Sequence, residues 1–403
     1  MNKLKSYFIV ILVALLFFYT FGLNNIFNAL SQFFITSFHL SPSQVGFVSS
    51  LFFYGNIIFL VPAGLIVDRV SPKKLLPIIM ILCATFTVFM GFTGNIVLMS
   101  IARFLTGVCA AFGFVGCVRV AANIMDKKQL SKATGIIVTL GMLGGFAAQA
   151  PLTYLIEKTS WQTGLITVGI IGYIIAILIY FALRNTHYAL GKLQLTQSIL
   201  QKLKIVFLNL QNILCAAYTS LMNLPIYMLG AMWGIPYLVS VGNYSQTQAA
   251  TISGMLFLGT MIGSPITGAI SDFYKSRKGI MIVGAIISIL VMLIILHVKT
   301  DYYTDLFLFL LLGMVTSTQI LSYPVVVENN PTELSGSATS VISIISLLGG
   351  AIIQPLFGII LVHFSVNNVI NGYSYSTAIK CLLVAFAIAA VVGLFIKKHG
   401  GES

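Results

Sequence analysis

Two segments of this chain repeat each other, and each copy closes a long apolar run. Residues 64–74 and 268–278 share a glycine, an aspartate four positions later and a cluster of basic residues. A second pair of matching runs, 144–149 and 349–354, lies at nearly the same offset. An internal repeat of this length predicts two structurally related halves.

The composition indicates that both halves lie in a membrane. Hydrophobic residues make up 58 % of the chain and charged residues 8 %, against about 25 % charged residues in a soluble domain. About 20 apolar residues cross a bilayer as a helix. Twelve stretches reach that length, and we number them as spans 1 to 12: 6–35, 44–67, 75–94, 97–123, 133–156, 162–183, 207–240, 247–271, 280–297, 305–327, 337–362 and 375–396.

The predicted fold class is therefore an all-α integral membrane protein with twelve transmembrane helices in two pseudo-symmetric six-helix bundles. The first bundle is expected over residues 1–184 and the second over 206–403. The connection 185–205 is the longest polar stretch, and it reads equally as a plain linker or as a linker with a short interfacial helix.

The basic residues predict the orientation of the spans. Most of the 22 lysines and arginines fall on one side, whereas only Lys158 and Lys299 lie in the opposite loops. The positive-inside rule then places both termini in the cytoplasm, in a plasma (inner) membrane. The net charge of +13 is explained by this topology, so no nucleic-acid partner is expected.

The first repeated segment carries a family resemblance. Twelve spans in two halves, with Gly-x-x-x-Asp-Arg and a basic cluster between spans 2 and 3, resemble the major facilitator superfamily of secondary transporters. The runs 141–151 and 232–236 resemble bacterial uptake-type members of that superfamily. The second copy departs from the pattern, because Phe273 replaces the arginine. The resemblance implies a gating element on the cytoplasmic side, with these candidate residues: Gly64, Asp68, Arg69, Lys73, Asp126, Gly268, Asp272 and Arg277.

Within this element the resemblance implies two contacts. Asp68 would face the start of span 11 near Ser337, where a helix N-terminus favours an anion. Arg69 would bond the acid near the end of span 4, which is Asp126. The alternative is that Asp68 and Arg69 only mark a loop and set the topology.

Charged residues inside the spans are expensive and usually face protein or water. Arg103 and Arg119 of span 4 are the candidates for positively charged side chains that contact the solute. Helix packing and snorkelling are the alternative roles. All nine acidic residues fall in loops, termini or the end turns of spans. A cavity with arginine and no carboxylate would favour an anionic solute.

Neutral polar residues complete the predicted cavity. Asn25 and Asn28 share a face of span 1, Gln149 and Gln354 are related by the repeat, and Gln319 and Tyr323 share a face of span 10. The remaining candidates lie on spans 2 and 7: Tyr54, Tyr227 and Trp233. For each amide, an interhelical hydrogen bond is the alternative role.

These features predict a non-enzymatic secondary transporter that works by alternating access. We expect uptake of a small carboxylate-bearing nutrient, such as an amino acid, a peptide or an organic acid. Efflux of drugs or siderophores is the first alternative, and a non-transporting membrane receptor or scaffold is the second. No metal or organic cofactor is expected, a proton is the candidate coupling ion, and the expected partners are the solute and membrane lipid, with the chain acting as a monomer.

Overall fold

All twelve predicted spans are helical in the computed structural model, which describes residues 3–186, 199–331, 334–365 and 369–397. Each is long and apolar enough to cross a membrane. The bounds of spans 1 to 12 are Lys3–Phe38, Pro42–Arg69, Pro72–Phe92, Ile96–Ile124, Gln129–Lys158, Trp161–Leu183, Leu210–Gly242, Gln246–Tyr274, Arg277–His297, Tyr302–Glu328, Ser335–His363 and Gly372–Phe395.

The chain divides into two units, residues 1–192 and 193–403, and the division falls inside the predicted connection. A helix, Ile199–Leu208, precedes span 7 and packs against spans 7 and 11. Residues 187–198, which hold the rest of the predicted connection, lie outside the described part of the chain.

Helix packing follows the repeat. In the first unit the closest-packed pairs are spans 1 and 5, spans 2 and 4, and spans 3 and 6. In the second unit the corresponding pairs are spans 7 and 11, spans 8 and 10, and spans 9 and 12. Each pair in one unit therefore has its counterpart six spans later, as expected for duplicated bundles.

Several spans are interrupted. Span 1 consists of the helices Lys3–Asn25 and Phe27–Phe38. Span 7 passes from Leu210–Pro225 through a π-helix, Ile226–Trp233, to Gly234–Gly242. Span 5 is divided into Lys127–Ala147 and Ala150–Lys158. Span 10 consists of Tyr302–Thr316, a 3-10 turn Ser317–Leu321 and Ser322–Glu328. Span 12 is divided into Gly372–Ala378 and Cys381–Phe395.

The repeated glycines explain how two of these pairs pack so closely. An ideal Cβ on Gly55 of span 2 would lie 2.2 Å from the carbonyl oxygen of Phe104 in span 4. On Gly259 of span 8 it would lie 2.0 Å from that of Leu310 in span 10. Small residues let helix backbones approach in a membrane, where packing replaces the hydrophobic effect as the main force between helices.

Gly107→Ala should lower the stability of the first unit. Its new Cβ would lie 2.1 Å from the carbonyl oxygen of Phe52, so spans 2 and 4 must separate. Overpacking of this kind costs about 1–3 kcal/mol, which thermal unfolding of the detergent-solubilised protein would detect. Gly64→Ala is the matched control, because an ideal Cβ on Gly64 meets no atom within 4 Å. Equal unfolding temperatures for the two variants would contradict this packing role.

Candidate functional site

Arg103 of span 4 binds the interruption in span 1. Its Nη1 donates to the carbonyl oxygen of Leu23 at 2.6 Å, and its Nη2 donates to that of Asn24 at 3.3 Å. Its Nε donates to the carbonyl oxygen of Ser49 in span 2 at 3.4 Å. The last carbonyl groups of a helix lack the partners that a continuing helix would supply. The guanidinium group therefore caps the first half of span 1 and ties three spans together.

The charge of Arg103 is enclosed by protein. The side chain is 0 % exposed, and its guanidinium carbon lies 4.6 Å from the ring centroids of both Phe27 and Phe52. Cations are attracted to the faces of such rings. Among the described residues no carboxylate forms an ion pair with Arg103. In this geometry Arg103 holds backbone groups of spans 1 and 2, and its contact with solute stays a prediction.

Two amides join the interruptions of spans 1 and 5. Asn28 Nδ2 donates to Gln149 Oε1 at 2.7 Å, and Gln149 is the residue that precedes the second helix of span 5. Asn25 Nδ2 donates to the carbonyl oxygen of Phe21 at 2.6 Å, which caps its own helix. The side-chain oxygens of Asn24 and Asn25 are buried and have no hydrogen-bond partner. They are acceptors available to a donor group beside the break.

In the second unit, spans 7, 10 and 11 meet at four polar side chains: Asn223, Tyr227, Gln319 and Ser346. Asn223 Nδ2 donates to Gln319 Oε1 at 2.9 Å and to Ser346 Oγ at 3.1 Å. The hydroxyl groups of Tyr227 and Ser346 are 3.0 Å apart. We call this group the amide–hydroxyl cluster. It is neutral throughout, and Asn223 and Gln319 remain partly exposed.

Gln354 and Trp233 hold span 7 against span 11. Gln354 Nε2 donates to the carbonyl oxygen of Tyr227 at 3.1 Å, and Trp233 Nε1 donates to that of Gln354 at 3.2 Å. Trp233 is fully buried with its ring 5.5 Å from that of Phe357. Both side chains are therefore structural partners of the π-helical segment, which corresponds to the alternative role stated for the amides.

Two other predicted cavity residues, and one residue that was not predicted, lie on spans 2, 10 and 11. Tyr54 and Tyr323 are half-buried, on spans 2 and 10. Ser346 was not predicted, although it lies eight residues before Gln354 and hence on the same face of span 11. That spacing was the available signal for it.

Arg119 pairs with the repeated motif. Its Nε lies 3.4 Å from Oδ1 of Asp68 at the end of span 2, and both side chains are partly exposed. This contact joins Arg119 to the gating candidates. Its role as a cavity cation stays a prediction. The other contact expected of Asp68, with the start of span 11, would join the two units and stays a prediction.

The predicted bond between Arg69 and Asp126 is wrong for this structure. Both side chains are exposed, and no ion pair joins these two described residues. Asp126 instead precedes the helix of span 5 at its N-cap position. An acid there gains from the helix dipole without needing an arginine.

The second copy of the motif makes a different ion pair. Arg277 pairs with Glu328. This ion pair joins the start of span 9 to the end of span 10. Of the remaining gating candidates, Lys73 and Asp272 are exposed, and an ideal Cβ on Gly64 or Gly268 meets no atom within 4 Å.

Two acids at the beginning of span 10 are satisfied locally. The hydroxyl groups of Tyr244 and Thr300 each donate to Asp305 at 2.6 Å. The hydroxyl and backbone N–H of Thr304 donate to Asp301, which lowers the pKa of that carboxyl group. Asp301 therefore caps the helix, and Asp305 in its first turn is held by two hydroxyl groups.

Arg103→Met should destabilise the protein. The substitution removes three hydrogen bonds and leaves buried carbonyl groups unpaired. Each unpaired carbonyl group lowers the free energy of unfolding by about 1–3 kcal/mol. Arg103→Lys should cause a smaller loss, because the ammonium group keeps the charge and lacks the planar fork. Chemical unfolding in detergent measures both. Lys380→Met, at an exposed position, is the control, and parental stability of Arg103→Met would refute the capping role.

The chain is similar in sequence to proteins that are named as transporters. The chain is 21 % identical to the probable galactarate/D-glucarate transporter GudP of Escherichia coli, over 88 % of this chain and 86 % of that one. It is 24 % identical to the gentisate transporter of Corynebacterium glutamicum, over 88 % and 81 %. With the probable sulfoacetate transporter SauU of Cupriavidus necator it shares 21 % identity, over 60 % of this chain and only 59 % of the relative's length.

Solved structures show the same fold. A bacterial homologue of the human lysosomal transporter Spinster, in an inward-facing and unoccupied conformation, has a TM-score of 0.83 at 14 % identity, with 98 % of both chains covered. A D-xylose–proton symporter has a TM-score of 0.77 at 13 % identity, with 100 % of both chains covered. The sequence model of the Major Facilitator Superfamily matches residues 12–354 and 215–399. Together with the twelve spans and their repeated packing, this match makes the chain a member of the Major Facilitator Superfamily and a multi-pass secondary transporter.

Proposed function

We propose that this transporter imports a small organic anion that carries a carboxylate or a related acidic group. The observation that supports the proposal is the unpaired charge of Arg103. The guanidinium group lies inside the first unit with carbonyl dipoles and two rings as partners. The positive potential there is not cancelled by any carboxylate among the described neighbours.

A buried charge of this kind acts over a distance. Placing an arginine in the centre of a membrane helix costs at least about 2.5–3.5 kcal/mol, so its retention calls for a structural or electrostatic benefit. Two unit charges attract about four times more strongly at an effective dielectric of about 20 than in water. Arg103 can therefore favour an anionic solute near the break in span 1 without touching it.

The relatives support the same class of solute. GudP, the gentisate transporter and SauU are each named for an organic acid: galactarate or D-glucarate, gentisate, and sulfoacetate. These solutes also carry hydroxyl groups or a second acidic group. We propose that the amide–hydroxyl cluster binds the hydroxyl groups of such a solute.

The orientation and coupling form part of this proposal. We place both termini in the cytoplasm of a plasma (inner) membrane, because basic residues accumulate on that side of the spans. The described acids of span 10 lie at its ends, where Glu328 forms an ion pair and Asp305 accepts from two hydroxyl groups. We therefore propose that a coupling proton would travel on the solute's own carboxyl group.

The solute class is tested by a thermal-shift screen of the purified protein, followed by counterflow in proteoliposomes. Hydroxylated mono- and dicarboxylic acids, amino acids and peptides should raise the unfolding temperature, whereas neutral sugars and cationic drugs should not. Stabilisation by cationic drugs alone, or by neutral sugars alone, would contradict the proposal. Uptake measured with and without an imposed pH gradient then decides whether a proton is coupled.

Ser346→Ala tests the amide–hydroxyl cluster. Loss of one hydrogen bond of about 0.5–1.5 kcal/mol should weaken solute affinity about two- to tenfold. Ser340→Ala is the matched control on the same span, because the Ser340 hydroxyl bonds only its own helix, at the carbonyl oxygen of Gly336. Equal affinities in the two variants would exclude Ser346 from the site.

We also propose that the Asp68–Arg119 pair is a gating element. Asp68→Asn should slow solute exchange while leaving solute affinity unchanged, and the free energy of unfolding should change by less than about 1 kcal/mol, as for partly exposed pairs. Restoration of exchange by the reversed pair, Asp68→Arg with Arg119→Asp, would support the contact. Glu157→Gln is the control, at an exposed acid that is not among the gating candidates. Parental exchange in Asp68→Asn would rule out the gate.

A further inference from the structure

A groove runs along the surface of the first unit between spans 1 and 5. Its volume is about 480 Å³, within the range of about 300–1,000 Å³ that is usual for ligand pockets. It is lined by Ile11, Lys132, Gly135, Ile136, Thr139 and Leu140. None of these residues belongs to the polar groups assigned to solute or to gating, so the groove is a separate feature.

The lining residues give the groove a direction. Those on span 5 recur at three- and four-residue intervals and hence share one helix face. From Lys132 to Leu140 the helix rises about 12 Å. Lys132 lies near the start of the helix Lys127–Ala147, and Leu140 lies well inside the span. The groove therefore has a cationic end towards the predicted cytoplasmic side and an apolar end towards the membrane interior.

Span 1 adds a second cation at the same end. Lys3 precedes Ile11 by eight residues, which places the two on one face of the helix, and both side chains are exposed. The lining of the groove contains no carboxylate. The nearest described acid along span 5 is Asp126, at the N-cap of the helix. The cationic end thus has an excess of positive charge.

We propose that this groove binds an anionic phospholipid, with the headgroup phosphate at Lys132 and Lys3 and an acyl chain along Ile11, Ile136 and Leu140. The occupant of a groove with one charged end and one apolar end must be amphipathic. On a membrane-spanning face the surrounding solvent is itself lipid, and basic residues at the cytoplasmic boundary attract anionic headgroups at about 1 kcal/mol each.

Gly135 allows the groove to be filled without disturbing the protein. An ideal Cβ at this position meets no atom within 4 Å, and the residue is exposed. A leucine side chain there would extend into the groove and compete with an acyl chain. Gly336 is the matched control, because it is also helical, exposed and free of atoms within 4 Å of an ideal Cβ.

The test is native mass spectrometry of the full chain in detergent with defined amounts of phosphatidylglycerol and phosphatidylcholine. The parent protein should retain phosphatidylglycerol in preference. Lys132→Gln should reduce that preference about fivefold, the factor that corresponds to about 1 kcal/mol. Gly135→Leu should reduce binding of both lipids at this site. A photoactivatable phosphatidylglycerol should label the residues that line the groove.

Lys275→Gln and Gly336→Leu should behave like the parent, since Lys275 is an exposed lysine at the end of span 8, outside the groove. Equal retention of the two lipids by the parent, or parental behaviour of both groove variants, would overturn the proposal. Labelling confined to other spans would overturn it too, and this readout needs no variant to fold. A loss in Gly135→Leu with an unchanged preference in Lys132→Gln would refute the headgroup contact.

Discussion

A helix that is interrupted inside a membrane must find new partners for the backbone groups that it frees, because lipid offers none. Much of the polar chemistry of this transporter follows from that requirement. Arg103 binds the carbonyl groups at the break in span 1, and Gln354 binds a carbonyl group of the π-helical segment in span 7. Amide and hydroxyl side chains lie at or near these breaks, and most of them are buried. The residues that bind the freed backbone groups are consequently neighbours of the candidate solute-binding residues.

The duplication preserved the packing of the two units more closely than their charge. Gly107 and Gly313 make equivalent contacts with the helix that they face. Four residues before them stand Arg103 and Phe309, which are both fully buried. The same position on one scaffold thus carries a cation in the first unit and an apolar ring in the second. The two units therefore differ in charge at a position where their packing is equivalent.

The fold could be predicted almost completely from the sequence, because the length of the apolar stretches and the internal repeat can be read directly from the residues. The candidate site could be predicted only in part. Asn28 and Gln149 were recognised by spacing, but their mutual bond required the two breaks to face each other. The partners of Arg103 are backbone carbonyl groups, which no residue pattern encodes. The contact of Arg119 with Asp68 was not predicted, because the two residues are distant in the chain and adjacent only after spans 2 and 4 pack.

The two motif copies carry their ion pairs with opposite polarity. The first supplies the acid, Asp68, to an arginine of span 4, and the second supplies the arginine, Arg277, to an acid of span 10. A chimera in which one half was replaced by a duplicate of the other would keep the helix packing, but its two motif-based ion pairs would be identical. In the natural chain, by contrast, the motif supplies an acid in one half and an arginine in the other, so the two ion pairs are not copies of each other.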